Sequence, residues 1–278
     1  MWETRSKWIL FASLATAGII LFQMTSFALH MLFGIRLSFN VFKICLEIFT
    51  FLRMPYVCHI IYGFVIYTFA AGFWVIVRQI LVSIRSTRRL RSCQDAGLTS
   101  IYSSKYRLRK HELVVIQNKT PIALTMGVLK PRIVVSAGLL QMLEHSELDA
   151  VMEHEKFHLQ HRDPLAIFLL SLLSISMWYV PLFRWVLDKY KIMIEIMADQ
   201  YAMSKIPSAK DLGSALLKML KQQGQIPKRS ISYASFAETS INLRIMHILE
   251  PQTQLSLRMP LLRTLISIVA VLFLVTLT

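Results

Sequence analysis

Two histidines and a glutamate in H-E-K-F-H, residues 154–158, are the residues whose types and spacing most directly suggest chemistry. On a helix, four residues turn a side chain by about 40° and advance it by about 6 Å, so His154 and His158 can reach one ion from the same face. Glu155 lies about 100° round from His154, beside such an ion, where its carboxylate can deprotonate a water molecule. The pattern predicts a zinc-dependent hydrolase. A core helix that carries two histidines by chance is the alternative.

A catalytic zinc site of this kind needs a third protein ligand, and two residues are candidates. His161 shares the helix face but lies another ~4.5 Å along the axis, too far for one helix to bring three histidines to one ion. Glu195 lies on a later segment, E-I-M-A-D, in which Asp199 follows one turn on along the same face. We expect Glu195 to be the third ligand and Asp199 to orient a ligand histidine. Taken alone, this segment also fits an amphipathic helix with solvated acids.

The helix that carries the two histidines has recognisable end signals. Ser146 is its predicted N-cap, with Asp149 three residues on, and apolar residues follow at helical spacing. Pro164 prevents the helix from continuing, so we expect it to run from Ser146 to about His161.

Three short segments upstream of that helix have the composition of strands. They are residues 112–116, 122–126 and 133–135, separated by the turn-forming residues Pro121, Gly127 and Pro131. These segments predict a small antiparallel sheet. We expect a protein substrate to add a strand along 122–126 or 133–135, because flanking prolines are typical of a free edge. The first of these edges consists of Ile122, Ala123, Leu124, Thr125 and Met126. The alternative is that both segments are paired on each side.

The composition is that of a membrane protein rather than of a soluble domain. Of 278 residues, 55% are hydrophobic and 17% are charged, and the mean hydropathy is +0.51. The 31 Lys and Arg exceed the 16 Asp and Glu by 15, as in chains with basic loops on the cytoplasmic side of a membrane. Direct nucleic-acid binding is not expected, because no recognition motif accompanies the charge. The three cysteines, Cys45, Cys58 and Cys93, support neither a disulfide framework nor a thiolate zinc site.

Three apolar stretches are predicted to cross the membrane. Residues 8–29 carry no charge, and residues 55–77 carry none apart from His59, so each is long enough for a spanning helix. Residues 261–278 form a shorter terminal span if Arg263 extends to the interface. Residues 30–54 contain four charged side chains, which favours an interfacial or re-entrant segment.

The membrane segments divide the chain into a membrane region (1–82), a cytoplasmic domain that carries the histidines (83–260) and a terminal helix (261–278). The middle region is placed in the cytoplasm because arginines and lysines are concentrated just after the second span. Within it, residues 164–183 form an uncharged run of 20 residues. Only eleven residues separate this run from Glu195, too few to return through about 30 Å of hydrocarbon. We therefore expect 164–183 to be a buried or half-inserted helix.

Together these motifs resemble the BlaR/MecR-type antirepressor metallopeptidases, membrane relatives of the zinc-dependent CAAX prenyl proteases and of membrane quality-control proteases. The likeness covers about residues 110–278 and is carried by P-I-A-L-T-M-G-V-L-K-P-R-I-V-V (121–135), E-L-D-A-V-M-E-H-E-K-F-H (147–158), H-R-D (161–163), E-I-M-A-D (195–199) and L-R-I-M-H-I-L (243–249). The resemblance implies an α-helical membrane protein with a cytoplasmic α+β, gluzincin-like zincin domain. One zinc ion per chain would be held by His154, His158 and Glu195, with Glu155 catalytic and Asp199 in support.

The sequence departs from that family in two places. Lys156 stands where these helices usually have an uncharged residue, but it lies about 200° from His154 and should point away from the metal. Sensor members of the family continue into an extracellular penicillin-binding domain, whereas this sequence stops at Thr278. We therefore expect no β-lactam sensing by that route.

The expected function is membrane-anchored, zinc-dependent cleavage of cytoplasmic protein substrates. The resemblance suggests a winged-helix transcriptional repressor, or the chain itself, as substrate, with membrane lipid and a second copy of the chain as further partners. General quality control of membrane proteins is an enzymatic alternative. A non-catalytic signalling or scaffold protein that retains the fold is an alternative of another class. Arg244 is the predicted hydrogen-bond donor to the carbonyl oxygen that becomes negatively charged during attack. Tyr201 and His247 are the next candidates for this role.

Overall fold

A computed structural model describes residues 2–34, 41–51, 53, 55–109, 111–223, 244–248 and 260–276. These residues form helices and one small sheet, in the order α1 (Trp2–Phe33), α2 (Val41–Phe51), α3 (Pro55–Cys93), α4 (Ala96–Lys105), β1 (Leu113–Ile116), β2 (Ala123–Met126), β3 (Arg132–Ser136), α5 (Ala137–Met142), α6 (His145–His161), α7 (Asp163–Ser176), α8 (Pro181–Lys205), α9 (Ala209–Gln223), a helical turn α10 (244–248) and α11 (Leu261–Thr276).

Among the described residues, two helices are long and apolar enough to cross a membrane. They are Ser6–Phe33 within α1 and His59–Cys93 within α3, and only 22% and 11% of their most apolar stretches are buried. A core helix of a soluble protein would be mostly buried, so this exposure favours contact with lipid. Between them, α2 has 11 residues, or about 17 Å, too short to cross. The terminal helix α11 has 16 residues, and a third crossing there remains a prediction.

Helix α3 is longer than the predicted span 55–77, because it continues unbroken through the basic residues to Cys93. Arginine is a good helix former, and no proline follows Pro55 to interrupt the helix. The chain then turns at Asp95, whose carboxylate accepts the N–H of Leu98 and begins α4. One rigid element therefore joins the apolar stretch to the domain that carries the histidines.

The sheet is mixed rather than antiparallel, so that prediction is wrong in part. The strand order is β1-β3-β2, with β1 parallel and β2 antiparallel to β3. Gly127, at a φ of +105°, allows the turn by which β2 and β3 pair as sequence neighbours. Because β3 is central, residues 133–135 cannot be a free edge, and only 122–126 keeps that possibility.

Helix α6 ends as predicted, but its beginning differs. The N-cap is Glu144 rather than Ser146, and the carboxylate of Glu147 accepts the Glu144 N–H at 2.9 Å. Asp149 accepts a hydrogen bond from the Tyr106 hydroxyl at 2.7 Å instead. After His161 the chain passes through Arg162 in a left-handed conformation (φ 54°), and α7 begins at once.

The apolar run 164–183 forms parts of two helices rather than one. Helix α7 has 14 residues, about 21 Å, and ends at Ser176. Helix α8 begins at Pro181, whose fixed φ suits the first turn of a helix. Helix α7 packs against both α3 and α8, and its length is below the ~30 Å of hydrocarbon in a bilayer.

Helix α6 lies in the middle of the domain, between the sheet and α8. On one side its residues Leu148 and Met152 pack with Ile133 and Val135 of β3. On the other side Phe157 packs with residues of α7 and α8. The two histidines are therefore fixed by a helix that is buried from two directions.

A glycine substitution tests the close packing at the start of α5. A Cβ on Gly138 would lie 2.0 Å from the main-chain oxygen of Lys119, while the Gly138 N–H donates to Asn118 at 2.9 Å. Gly138→Ala should lower the free energy of unfolding by about 1–3 kcal/mol. Gly213→Ala in α9 is the control, because the nearest atom to its Cβ would be 3.9 Å away. Equal stability of the two purified variants in denaturant unfolding would contradict the prediction.

Candidate metal centre

Three side chains from α6 and α8 converge on one point. The Nε2 atoms of His154 and His158 are 3.1 Å apart. The Glu195 carboxylate lies 3.5 Å from Nε2 of His154 and 3.7 Å from Nε2 of His158. One nitrogen or oxygen from each residue lies within 4.8 Å of the others, so this group can hold a metal ion. The structure brings together the three residues predicted as ligands.

The outer nitrogen of each imidazole contacts a buried carboxylate. Nδ1 of His154 lies 2.8 Å from Asp199, and Nδ1 of His158 lies 2.7 Å from Asp163. Such a carboxylate favours a hydrogen on Nδ1, which leaves the lone pair of Nε2 directed at the shared point. Two lone pairs that face each other at 3.1 Å repel unless a proton or a metal cation lies between them. Two imidazoles and one carboxylate are a ligand set typical of catalytic zinc sites.

Asp163 is the member of this arrangement that sequence reasoning missed. It immediately precedes Pro164 at the start of α7, where an acidic residue is already explained by the positive end of the helix. The left-handed Arg162 turns the chain so that the Asp163 carboxylate faces back to His158. The H-R-D motif was the available signal, but nothing in its spacing revealed that turn.

Arg244 from α10 connects the carboxylates. Its Nε and Nη2 donate to the two oxygens of Asp199 at 2.8 and 2.7 Å, and its Nη1 lies 2.9 Å from Glu195. Burial acts to raise the pKa values of Glu195 and Asp199, but the Arg244 charge and the neighbouring histidines hold both below their ordinary values. Both groups are therefore ionised and available as oxygen ligands or acceptors.

The electrostatic field at His154 favours a positive charge. Burial and the Arg244 charge act to lower the pKa of His154, but the carboxylates of Asp199 and Glu195 outweigh them and raise it to about 9. The negative potential that favours a proton on this imidazole equally favours a metal cation near it.

Glu155 lies beside the histidines and is 6% exposed. Its Oε2 accepts a hydrogen bond from the Thr125 hydroxyl at 2.7 Å. Glu155, Thr125 and the three predicted ligands line a cleft of about 800 Å³. The walls come from α3, β2, α6, α7, α8 and α9, with Arg244 from α10. The general base predicted from sequence is thus in the same cleft as the metal group.

Other predicted residues lie elsewhere. His161 stacks on Phe157, with ring centroids 4.0 Å apart, and is not part of the metal group. Tyr201 packs on the same phenylalanine, and His247 accepts a hydrogen bond from the Gln200 amide at 2.6 Å. Of the three candidates for the donor to the attacked carbonyl, only Arg244 is among the described residues that line the cleft.

Comparison with known proteins supports the same chemistry. Residues 48–248 match a family model described as BlaR1 peptidase M56. The chain is 28% identical over 167 residues to the regulatory protein BlaR1 of Bacillus licheniformis, a match that covers 56% of this chain and 27% of that protein. It is 33% identical over 113 residues to a protease HtpX homolog of Thermoplasma acidophilum, covering 38% of this chain and 36% of the homolog. The chain thus spans about a quarter to a third of the length of these relatives. The family match confirms the resemblance identified from the sequence.

Removal of the Asp163 carboxylate tests whether it supports the metal group. Asp163→Ala should weaken metal affinity about 10- to 100-fold, because His158 then loses the partner that orients its ring. Affinity can be measured by competition with a chromogenic chelator for zinc. Asp188→Ala on α8 is the control, since Asp188 is not part of the metal group. Unchanged affinity in Asp163→Ala would contradict the prediction.

Proposed function

This chain belongs to the BlaR1 peptidase M56 family, and from that premise we propose that it is a membrane-anchored zinc endopeptidase that cleaves cytoplasmic proteins. The observation that carries the proposal is the convergence of two imidazole Nε2 atoms and a carboxylate, with each outer Nδ1 held by an aspartate. A buried core helix with two incidental histidines does not require that arrangement.

In this proposal His154, His158 and Glu195 hold the zinc ion. The donor set fits zinc, and the ion supplies Lewis acidity that brings the pKa of a water molecule from 15.7 to about 7 and polarises a carbonyl. Asp163 and Asp199 keep the two imidazoles in the tautomer and orientation that binding requires.

Glu155 is the proposed general base. Its carboxylate accepts a proton from the attacking water and then donates it to the nitrogen of the departing amine. Arg244 remains the proposed donor to the charge on the attacked carbonyl, because its guanidinium lines the cleft beside Glu195. In the described structure this guanidinium also binds Asp199, so Arg244 orders the metal group as well.

The outer edge of β2 is the proposed binding site for an extended peptide. Ser136 N–H donates to the carbonyl of Ile122, and Ile133 N–H points the other way, to Glu112 in front of β1. By the alternation of an antiparallel ladder, Leu124 then pairs with β3, while the backbone groups of Ala123 and Thr125 face outward. No strand covers that outer edge in the part of the chain that the structure describes. The edge borders the cleft, so a bound peptide would lie beside Glu155.

The proposed location is the cell membrane, with α1 and α3 as spans and the cleft on the cytoplasmic side. The support is the basic segment of α3, where Arg85, Arg88, Arg89 and Arg91 follow the apolar stretch.

Similarity to a regulatory protein favours proteolysis of a transcriptional repressor. Similarity to an HtpX homolog favours broader protein cleavage as the second candidate. Zinc content near one ion per purified chain separates both from a non-catalytic scaffold.

Glu155→Gln tests the assignment of the general base. Cleavage of fluorescein-labelled β-casein should fall by at least about 100-fold, while zinc content remains at one per chain, because the carboxylate moves protons and is not a ligand. Glu153→Gln is the matched control on the same helix, where Glu153 pairs with Lys156 at 2.6 Å. Loss of zinc from Glu155→Gln would place Glu155 among the ligands and overturn the assignment.

Proline substitutions test the β2 edge. Ala123→Pro removes an outward N–H, so KM for β-casein should rise about tenfold with the fold and zinc content unchanged. Leu124→Pro removes an N–H that pairs with β3, so this variant should instead unfold at a lower temperature. If Ala123→Pro folds, binds zinc and cleaves with an unchanged KM, the peptide does not bind along this edge.

A further inference from the structure

The hydroxyl of Thr125 contacts Glu155 twice. Oγ1 lies 2.7 Å from Oε2 of the Glu155 carboxylate and 3.1 Å from the main-chain oxygen of the same residue. Thr125 is in β2 and Glu155 in α6, so these contacts tie the edge strand directly to the middle of the histidine helix. Neither the zinc ligands nor their aspartate partners take part in them.

The two contacts suit the chemistry of a hydroxyl group, which has one hydrogen to donate and two lone pairs that accept. While Glu155 is a carboxylate, the Thr125 hydrogen goes to Oε2, the stronger acceptor of the two. After Glu155 has taken a proton from water on its other carboxylate oxygen, Oε2 is the carbonyl oxygen of the acid and can still accept the Thr125 hydrogen. The same side chain therefore holds Glu155 in place before and after proton transfer.

The backbone of Thr125 faces a different partner. Because Thr125 pairs with Ile133 at a position where Ile133 donates to Glu112, the Thr125 N–H and C=O point to the outer edge of β2. That edge is the proposed site for the substrate strand. Within a single residue, only the χ1 torsion separates the backbone groups from Oγ1, so contacts that hold χ1 also set the distance between them.

We propose that Thr125 is a positioning residue that sets the Glu155 carboxylate relative to a peptide bound along β2. This role rests on the proposed endopeptidase function and adds to it a defined contact between substrate strand and general base. A base that is misplaced by a fraction of an ångström still allows binding but slows the reaction.

The direct test compares Thr125→Val with Thr125→Ser in the zinc-loaded full chain. Valine preserves the branched shape and strand preference but not the hydroxyl, whereas serine keeps the hydroxyl. With fluorescein-labelled β-casein, kcat of Thr125→Val should fall about 10- to 100-fold, as for loss of a hydrogen bond to a charged group. KM, zinc content and unfolding temperature should stay unchanged, and Thr125→Ser should recover most of kcat. Thr120→Val, in the turn before β2, is the matched control.

A second measurement does not depend on turnover. Binding of a peptide hydroxamate is measured by calorimetry for Thr125→Val, for Glu155→Gln and for the double variant. If Thr125 acts through Glu155, each single substitution weakens binding, and the double variant binds no more weakly than Glu155→Gln alone. Additive losses show that the two side chains act independently and overturn the proposal.

The outcomes distinguish this inference from the function on which it rests. Unchanged cleavage by Glu155→Gln removes the proposed function and, with it, the role of Thr125. An inactive Glu155→Gln beside a fully active Thr125→Val leaves the function intact and overturns only the positioning role. Loss of zinc or of thermal stability in Thr125→Val, or no recovery in Thr125→Ser, assigns the residue a purely structural role and also overturns the proposal.

Discussion

The arrangement of this domain depends on the need to compensate buried negative charge around two imidazole rings. The carboxylates concerned are those of Glu155, Asp163, Glu195 and Asp199. So many like charges are tolerated in a low-dielectric interior only when cations and hydrogen bonds oppose them. Arg244 supplies one positive charge, and a divalent ion held by the proposed ligands would supply two more. A charged or imidazole side chain of the site comes from each of the helices α6, α7, α8 and α10. The packing of these helices and the balance of charge at the site therefore depend on each other.

The parts of the site that could be predicted from sequence are those set by helical spacing. His154, Glu155 and His158 lie within one and a half turns, and Glu195 and Asp199 are one turn apart, so each group needed only the geometry of its own helix. The contact between Asp163 and His158 was missed because it depends on a left-handed Arg162. The Arg244 contact joins residues 45 positions apart, and no local pattern encodes that distance.

The fold shows the same division between local and long-range information. The positions of the strands and the end of α6 follow from prolines, glycines and apolar periodicity, which act over a few residues. The parallel pairing of β1 with β3 does not follow from such local signals. It depends on which earlier strand β3 pairs with, and that choice is made over a longer stretch of chain. The apolar run 164–183 carried no charge to mark a boundary, yet the chain turns after Ser176, and Pro181 begins a new helix.

Helix α3 gives the cleft a wall that is also a candidate membrane span, since Val75, Arg78, Gln79 and Val82 line the cleft. The helix is unbroken from Pro55 to Cys93, so a tilt at one end would be transmitted along its length. Val82 lies about 40 Å along the axis from Pro55, and a tilt of about 5° there displaces it by about 3.5 Å. Bilayer thickness acts on the tilt of a membrane-spanning helix. With α3 in the bilayer as proposed above, the thickness of the surrounding lipid and the width of the cleft would be coupled through this one helix.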